Sequence, residues 1–139
     1  MAEVERVFPF SPRSSRSLRV GDLIGVPLED GSWACLQVTV LLPSGPGSAS
    51  SFVVTPLPWR GQSPPVEATV AGVVPTEHGL THIDLFRKAG LAVTGWAPVE
   101  GDSAPRYDQD APVGTRHLVW GYRTAIQRAM DAAGSSPER

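Results

Sequence analysis

The sequence predicts one α+β domain that is mainly β, built as a small antiparallel barrel with a helix at its C-terminal end. Three observations predict it. Residues 20 to 43, VGDLIGVPLEDGSWACLQVTVLLP, alternate in the manner of two strands joined by a tight turn. Fourteen glycines and fourteen prolines in 139 residues cut the chain into short pieces, which favours strands and loops over long helices. Only near the C-terminus does an uninterrupted helical stripe survive.

Taken in order, residues 1–19 mix Glu3, Glu5 and four arginines with serines, and Pro9 and Pro12 interrupt Phe8 and Phe10. This stretch is expected to be a loose arm, with the two phenylalanines able to anchor it. The remainder, 20–139, is expected to be one β-rich domain. In its hairpin, Ile24, Val26 and Leu28 share one parity, Glu29-Asp30-Gly31-Ser32 makes the turn, and Ala34, Leu36, Val38, Val40 and Leu42 return. Trp33, Cys35 and Leu41 occupy the other parity, so the second face is not fully wet. Pro43 to Ser51 is a low-complexity connection. A third strand runs from Phe52 to Trp59, its far half pushed to an edge or out of the sheet by Pro56 and Pro58, which have no amide to donate. Val66–Val74 alternates well enough for a fourth strand. Residues 80–86 fit a strand or a helix, with the strand favoured, and residues 91–100 form another short strand in which Trp96 closes the core. Gly101 to Gly114 is a polar loop, and residues 117–120 suit an edge strand. Tyr122, Ile126, Ala129, Met130 and Ala133 fall on one helical stripe, and Gly134 is placed as a stop, so a helix is expected over about 121–133. About five to seven short strands with this spacing suggest an SH3-like or related barrel.

Composition bounds function more than it defines it. Hydrophobic residues make up 41% and charged residues 19%, enough for a real core and too interrupted for a membrane span. Twelve basic against fourteen acidic residues give a net charge of −2, which implies no electrostatic footprint for nucleic acid. Neither a membrane nor a nucleic acid is therefore the expected partner. Cys35, the single cysteine, reads as a small buried hydrophobe. The opening residues contain no continuous apolar run, so no secretory leader is expected and the cytoplasm is the expected compartment.

The chemistry-bearing residues do not assemble into a catalytic motif. Glu77, His78, His82 and Asp84 are the most metal-like cluster, yet the spacing is common and no third ligand follows, so neither a metal nor a cofactor is expected. Asp102, Asp108 and Asp110 lack the ordered positions of a calcium loop. There is no G-x-S-x-G elbow and no glycine-rich phosphate loop opening a helix. The four tryptophans with Arg60 and Arg87 could form a stacking platform, although tryptophans on strands more often serve packing.

A protein-binding rim is the reading that remains. Trp59, Arg60, Asp102, Tyr107, Asp108 and Asp110 lie in or beside loops and are the expected contacts, with the acidic loop orienting a basic partner. The alternatives are a nucleic-acid or small-ligand binding barrel that uses its tryptophans, and a structural subunit of a larger bacterial or phage assembly. Gly21-Asp22, Val26-Pro27-Leu28, Asp30-Gly31 and Trp33, followed by Leu85-Phe86 and Gly95-Trp96, resemble the immunity protein 26 family of bacterial polymorphic-toxin systems. The resemblance spans residues 20–100 and implies a compact β-rich protein that neutralises a cognate toxin by stoichiometric binding, without catalysis.

Overall fold

The computed structural model describes residues 7–41, 50–74, 77–100 and 120–134. Five strands form one antiparallel sheet: β1 (Asp22–Pro27), β2 (Trp33–Leu41), β3 (Ser51–Pro56), β4 (Gly79–His82) and β5 (Ala92–Trp96), in the order β4-β3-β2-β1-β5. Helices α1 (Glu67–Val70), α2 (Asp84–Arg87) and α3 (Tyr122–Gly134) complete the described elements, with a 3-10 turn at Ser15–Ser17. The domain is α+β and mainly β, as its sequence predicts, but the sheet is open and is not a closed barrel. The reason lies in its edges. β4 and β5 have four and five residues and sit at opposite ends of the order. The outer side of β5 is taken by Phe10, whose amide donates to Val93 O at 3.0 Å and whose carbonyl accepts from Val93 N at 2.8 Å.

The hairpin pairs Ile24 with Leu36 and Val26 with Ala34. Its turn is fixed by local hydrogen bonds: Leu28 N donates to Ser32 O at 2.9 Å, and Asp30 Oδ1 accepts from Ser32 N at 3.0 Å. Gly31 takes the positive φ of 87° that the turn requires and that side chains other than glycine resist. From this hairpin the sheet buries both faces. Ile24, Val26, Leu36, Val38, Phe52 and Val54 meet α2 and α3, and the rings of Phe52 and Phe86 stack with centroids 6.0 Å apart. On the other face Leu23 and Cys35 pack with Leu57, Trp59, Val70 and Ala97. Each large aliphatic side chain so enclosed contributes about 1.5–3 kcal/mol relative to exposure, so two covered faces explain why a short-stranded sheet holds together.

Several elements depart from their sequence reading. Val66–Val74, expected to be a strand, instead begins as the short helix α1, with Val70 buried. Thr69 Oγ1 accepts from Val66 N at 3.1 Å, a local bond that competes with strand pairing. The segment 80–86 divides: its first part pairs with β3 as β4, and Asp84–Arg87 turns into α2. Residues 7–18 are not a loose arm. Besides the Phe10 bridge, Ser11 Oγ donates to Leu91 O at 2.9 Å, and Leu18 is buried in the core. The phenylalanines do act as anchors, each packed against the first core. Trp96 does not close the core; it is 38% exposed and its indole donates to Val20 O at 2.8 Å. Of residues 117–120 only Trp120 is described; it lies outside any strand, and its amide donates to Leu80 O at 2.7 Å. In α3 the buried stripe is Ala125, Ala129 and Ala133, with Tyr122 and Ile126 only partly covered and Met130 38% exposed.

Candidate binding groove

The glycine in the middle of β1 starts the site. A Cβ at Gly25 would lie 3.0 Å from Thr94 Cγ2 and 3.1 Å from two ring carbons of Trp33, so the bare backbone lets the threonine methyl and the indole settle onto the strand. Around this point is a groove of about 550 Å³. The sheet contributes Gly25, Pro27, Trp33, Ala92 and Thr94 to its lining. Phe8 and Pro9 border it from the N-terminal segment, Ser63, Pro64 and Val66 from the loop before α1, and Ala89 to Leu91 from the turn between α2 and β5.

Each border is held in place. Trp33 N donates to Gly61 O at 2.8 Å and Gly61 N returns a bond to Trp33 O at 3.1 Å, which clamps the loop after β3 to the start of β2. Thr94 Oγ1 donates to Pro65 O at 2.6 Å and ties the same loop to β5. The N-terminal segment is held by the Phe10–Val93 pair. Among the described residues none of the lining side chains is ionisable, and Pro9, Pro27 and Pro64 have no amide to donate. Chemically the groove offers apolar contact, an aromatic surface and two hydroxyls, one already committed. A concave, mostly apolar site with few polar groups has the general character of a recognition site.

The expected contact residues divide. Trp59, expected on the surface, is 6% exposed; its indole N–H donates to Thr69 O at 2.9 Å, and its ring belongs to the second core. The reason is local: the chain leaves β3 at Pro56, and Leu57 N still bonds to Cys35 O at 3.0 Å, so the loop turns across the sheet and carries the indole inward. Arg60 is exposed and pairs with Asp30, while its Nε donates to Ser32 Oγ at 2.9 Å. It lies in a separate depression of about 360 Å³ that also involves Glu29 and Met130. Asp102, Tyr107, Asp108 and Asp110 lie outside the described residues, as does His117. The structure therefore does not bring the expected set together at the groove. Trp33 carried the best signal for the real recess: a tryptophan beside a tight turn, on the sheet face that Gly25 leaves bare.

Among the described residues no three of His, Cys, Asp and Glu come together as a metal site. His82 Nδ1 accepts from Asp84 N at 3.2 Å and lies 3.3 Å from the same residue's carboxylate. Cys35 is completely buried, and desolvation pushes its thiol pKa far up, with a smaller opposing effect from a backbone bond at Ile24. No helix among the described residues is long and apolar enough to cross a membrane. No family model, curated protein or solved structure matches the chain.

Proposed function

We propose that this chain is a non-enzymatic protein-binding module, an immunity protein that neutralises a cognate bacterial toxin by stoichiometric binding. One observation carries the binding reading: an apolar groove of about 550 Å³, aromatic at Trp33 and bordered by anchored segments, with no ionisable side chain among the described residues that line it. A recess of that composition gains free energy when water leaves it and an apolar surface enters. Its firm borders reduce the ordering cost of binding. The toxin as partner rests on the sequence resemblance, whose paired segments meet in space: Asp22 of β1 lies opposite Trp96 of β5. Those residues build the sheet, so they support the architecture expected of such a protein and leave the groove to do the binding. Inhibition would work by occlusion, with the toxin's working surface covered for as long as the complex lasts.

The test is size-exclusion chromatography with light scattering on the chain mixed with the product of a neighbouring toxin-like gene. A one-to-one complex is expected. It should be lost in Val66→Glu, which places a charge at the groove's 40% exposed border, and kept in Val74→Glu, where an exposed valine lies outside the groove. Absence of any complex, or one indifferent to Val66→Glu, would overturn the reading.

A further inference from the structure

A net charge of −2 averages over a surface on which the charges are unevenly placed. Residues 7–21 carry Arg13, Arg16 and Arg19 and no acidic side chain. All three arginines are exposed, and among the described residues none of them enters an ion pair. Other cations are answered: Arg60 pairs with Asp30, Lys88 with Asp84 and Arg128 with Glu77. The nearest acid in sequence, Asp22, is buried, and its Oδ2 accepts from the Arg19 amide at 2.8 Å. The backbone beneath the arginines is firm. Ser14 Oγ accepts from Arg16 N at 3.2 Å, Leu18 N donates to Ser15 O at 3.1 Å, and Ser15 and Leu18 are both buried. A backbone already held in place lowers the ordering cost of any contact these side chains make.

Arg19 leads directly to an aromatic ring. Val20 O accepts from the indole N–H of Trp96 at 2.8 Å, and the same edge of the ring lies against Gly21, where a Cβ would stand 2.8 Å from Trp96 Cε2. Trp96 is 38% exposed, the most open of the four tryptophans, and among the described residues no ring or cation stacks on it. With its only donor spent, the indole offers π surface and no hydrogen bond. Unpaired guanidinium groups beside such a ring suit a ligand that carries both repeated anions and flat rings. We propose that Arg13, Arg16, Arg19 and Trp96 bind single-stranded nucleic acid without sequence preference, its phosphates on the arginines and a base stacked on the indole. An acidic peptide satisfies the arginines but brings carboxylates to an aromatic face whose quadrupole is negative. A duplex keeps its bases stacked within and leaves Trp96 idle. A lipid surface is anchored by an extended apolar face, whereas the exposed apolar side chains beside these arginines are Val20 and Trp96. The site is separate from the groove and stands whatever the groove binds.

Fluorescence anisotropy of labelled oligo-dT and oligo-rU of about fifteen nucleotides, titrated with the full chain at low salt, tests it. Saturable binding of at least one is expected, and comparing the two separates DNA from RNA as the source of the strand. The double variant Arg16→Gln, Arg19→Gln should weaken binding about tenfold or more. It should also flatten the slope of log affinity against log salt by about 1.4, two phosphate contacts at about 0.7 each. Arg87→Gln with Arg123→Gln removes the same charge from other exposed positions and should change the affinity by less than about threefold. Trp96→Leu should weaken binding about fivefold or more while leaving the salt slope unchanged, because it removes stacking and no charge. The arginine variants alter only exposed side chains, so they keep the test decisive should Trp96→Leu disturb the packing on Gly21. Failure of both oligonucleotides to bind, equal losses in the two arginine pairs, or full affinity in Trp96→Leu overturns the proposal. So does tighter binding of a dT·dA duplex, a glutamate decamer or phosphatidylserine vesicles than of either single strand.

Discussion

Gly21 shows how much one residue governs here. It enters β1 with φ of 105°, and a Cβ there would stand 2.4 Å from Trp96 Nε1 and 2.5 Å from Ala97 O. The close approach lets Gly21 O accept from Ala97 N at 3.0 Å and brings the start of β1 against the end of β5. Gly21→Ala is therefore expected to cost roughly 2–4 kcal/mol, combining left-handed strain with steric overlap. Gly31→Ala, with φ of 87° and nothing within 4 Å of its Cβ, should cost about 1 kcal/mol from strain alone. Urea unfolding of the two variants checks this: equal losses would show that contact with Trp96 contributes nothing. The Gly-Asp and Gly-Trp pairs were legible as a motif in the sequence, but not as neighbours, because their pairing crosses most of the chain.

Cys35 is the second informative residue. Enclosed beside Leu57 and Trp59, its thiol holds its proton well above the ordinary thiol range, so the nucleophilic thiolate is suppressed in the folded state. Iodoacetamide at mildly alkaline pH should leave the native chain unmodified over a period in which the urea-unfolded chain reacts completely. Mass spectrometry reads the outcome, and rapid native alkylation would show that the second face opens readily. The burial was readable from sequence because a cysteine between Ala34 and Leu36 continues an apolar strand on both parities.

Among the elements, the hairpin was almost fully legible, since alternation and an acidic-glycine turn specify register together. Val66–Val74 was not. Alternating valines state a preference for strand, but a strand needs a partner, and the edges of this sheet are short or already covered. Helix α3 was legible in extent and misread in rotation. The stripe read from the period held Ala129 and Ala133 but included Met130 and left out Ala125, whereas packing buries the three alanines, whose small side chains let the helix approach β2 and β3 closely. Ala129→Leu should therefore destabilise by about 1–3 kcal/mol through overpacking, although leucine is a good helix former. Thermal unfolding measures it. A neutral or stabilising result would mean that the helix rides higher on the sheet than the full burial of Ala129 indicates.

For the whole molecule, the groove was not legible because it is assembled from segments far apart in sequence, each unremarkable alone. Phe8 and Pro9 read as a loose arm, Ser63 to Val66 as loop and strand, Ala89 to Leu91 as a connection. Only the open sheet, with the N-terminal segment against β5, brings them together. That segment closes an edge and borders the groove at once, and removing it should therefore disturb both. With residues 1–10 deleted, Val93 N loses its acceptor on Phe10, and the groove loses Phe8 and Pro9. Amide exchange at Val93 should accelerate by about tenfold or more, whereas amides of β2, paired on both sides by β1 and β3, keep most of their protection. The freed edge of β5 should also favour self-association at high concentration, because an uncovered strand invites pairing with another chain. Hydrogen exchange followed by NMR, together with light scattering, separates local release from global loss. Unchanged exchange at Val93 would show that the segment rests on β5 without protecting it, and faster exchange throughout β2 would show instead that the sheet depends on it for its stability.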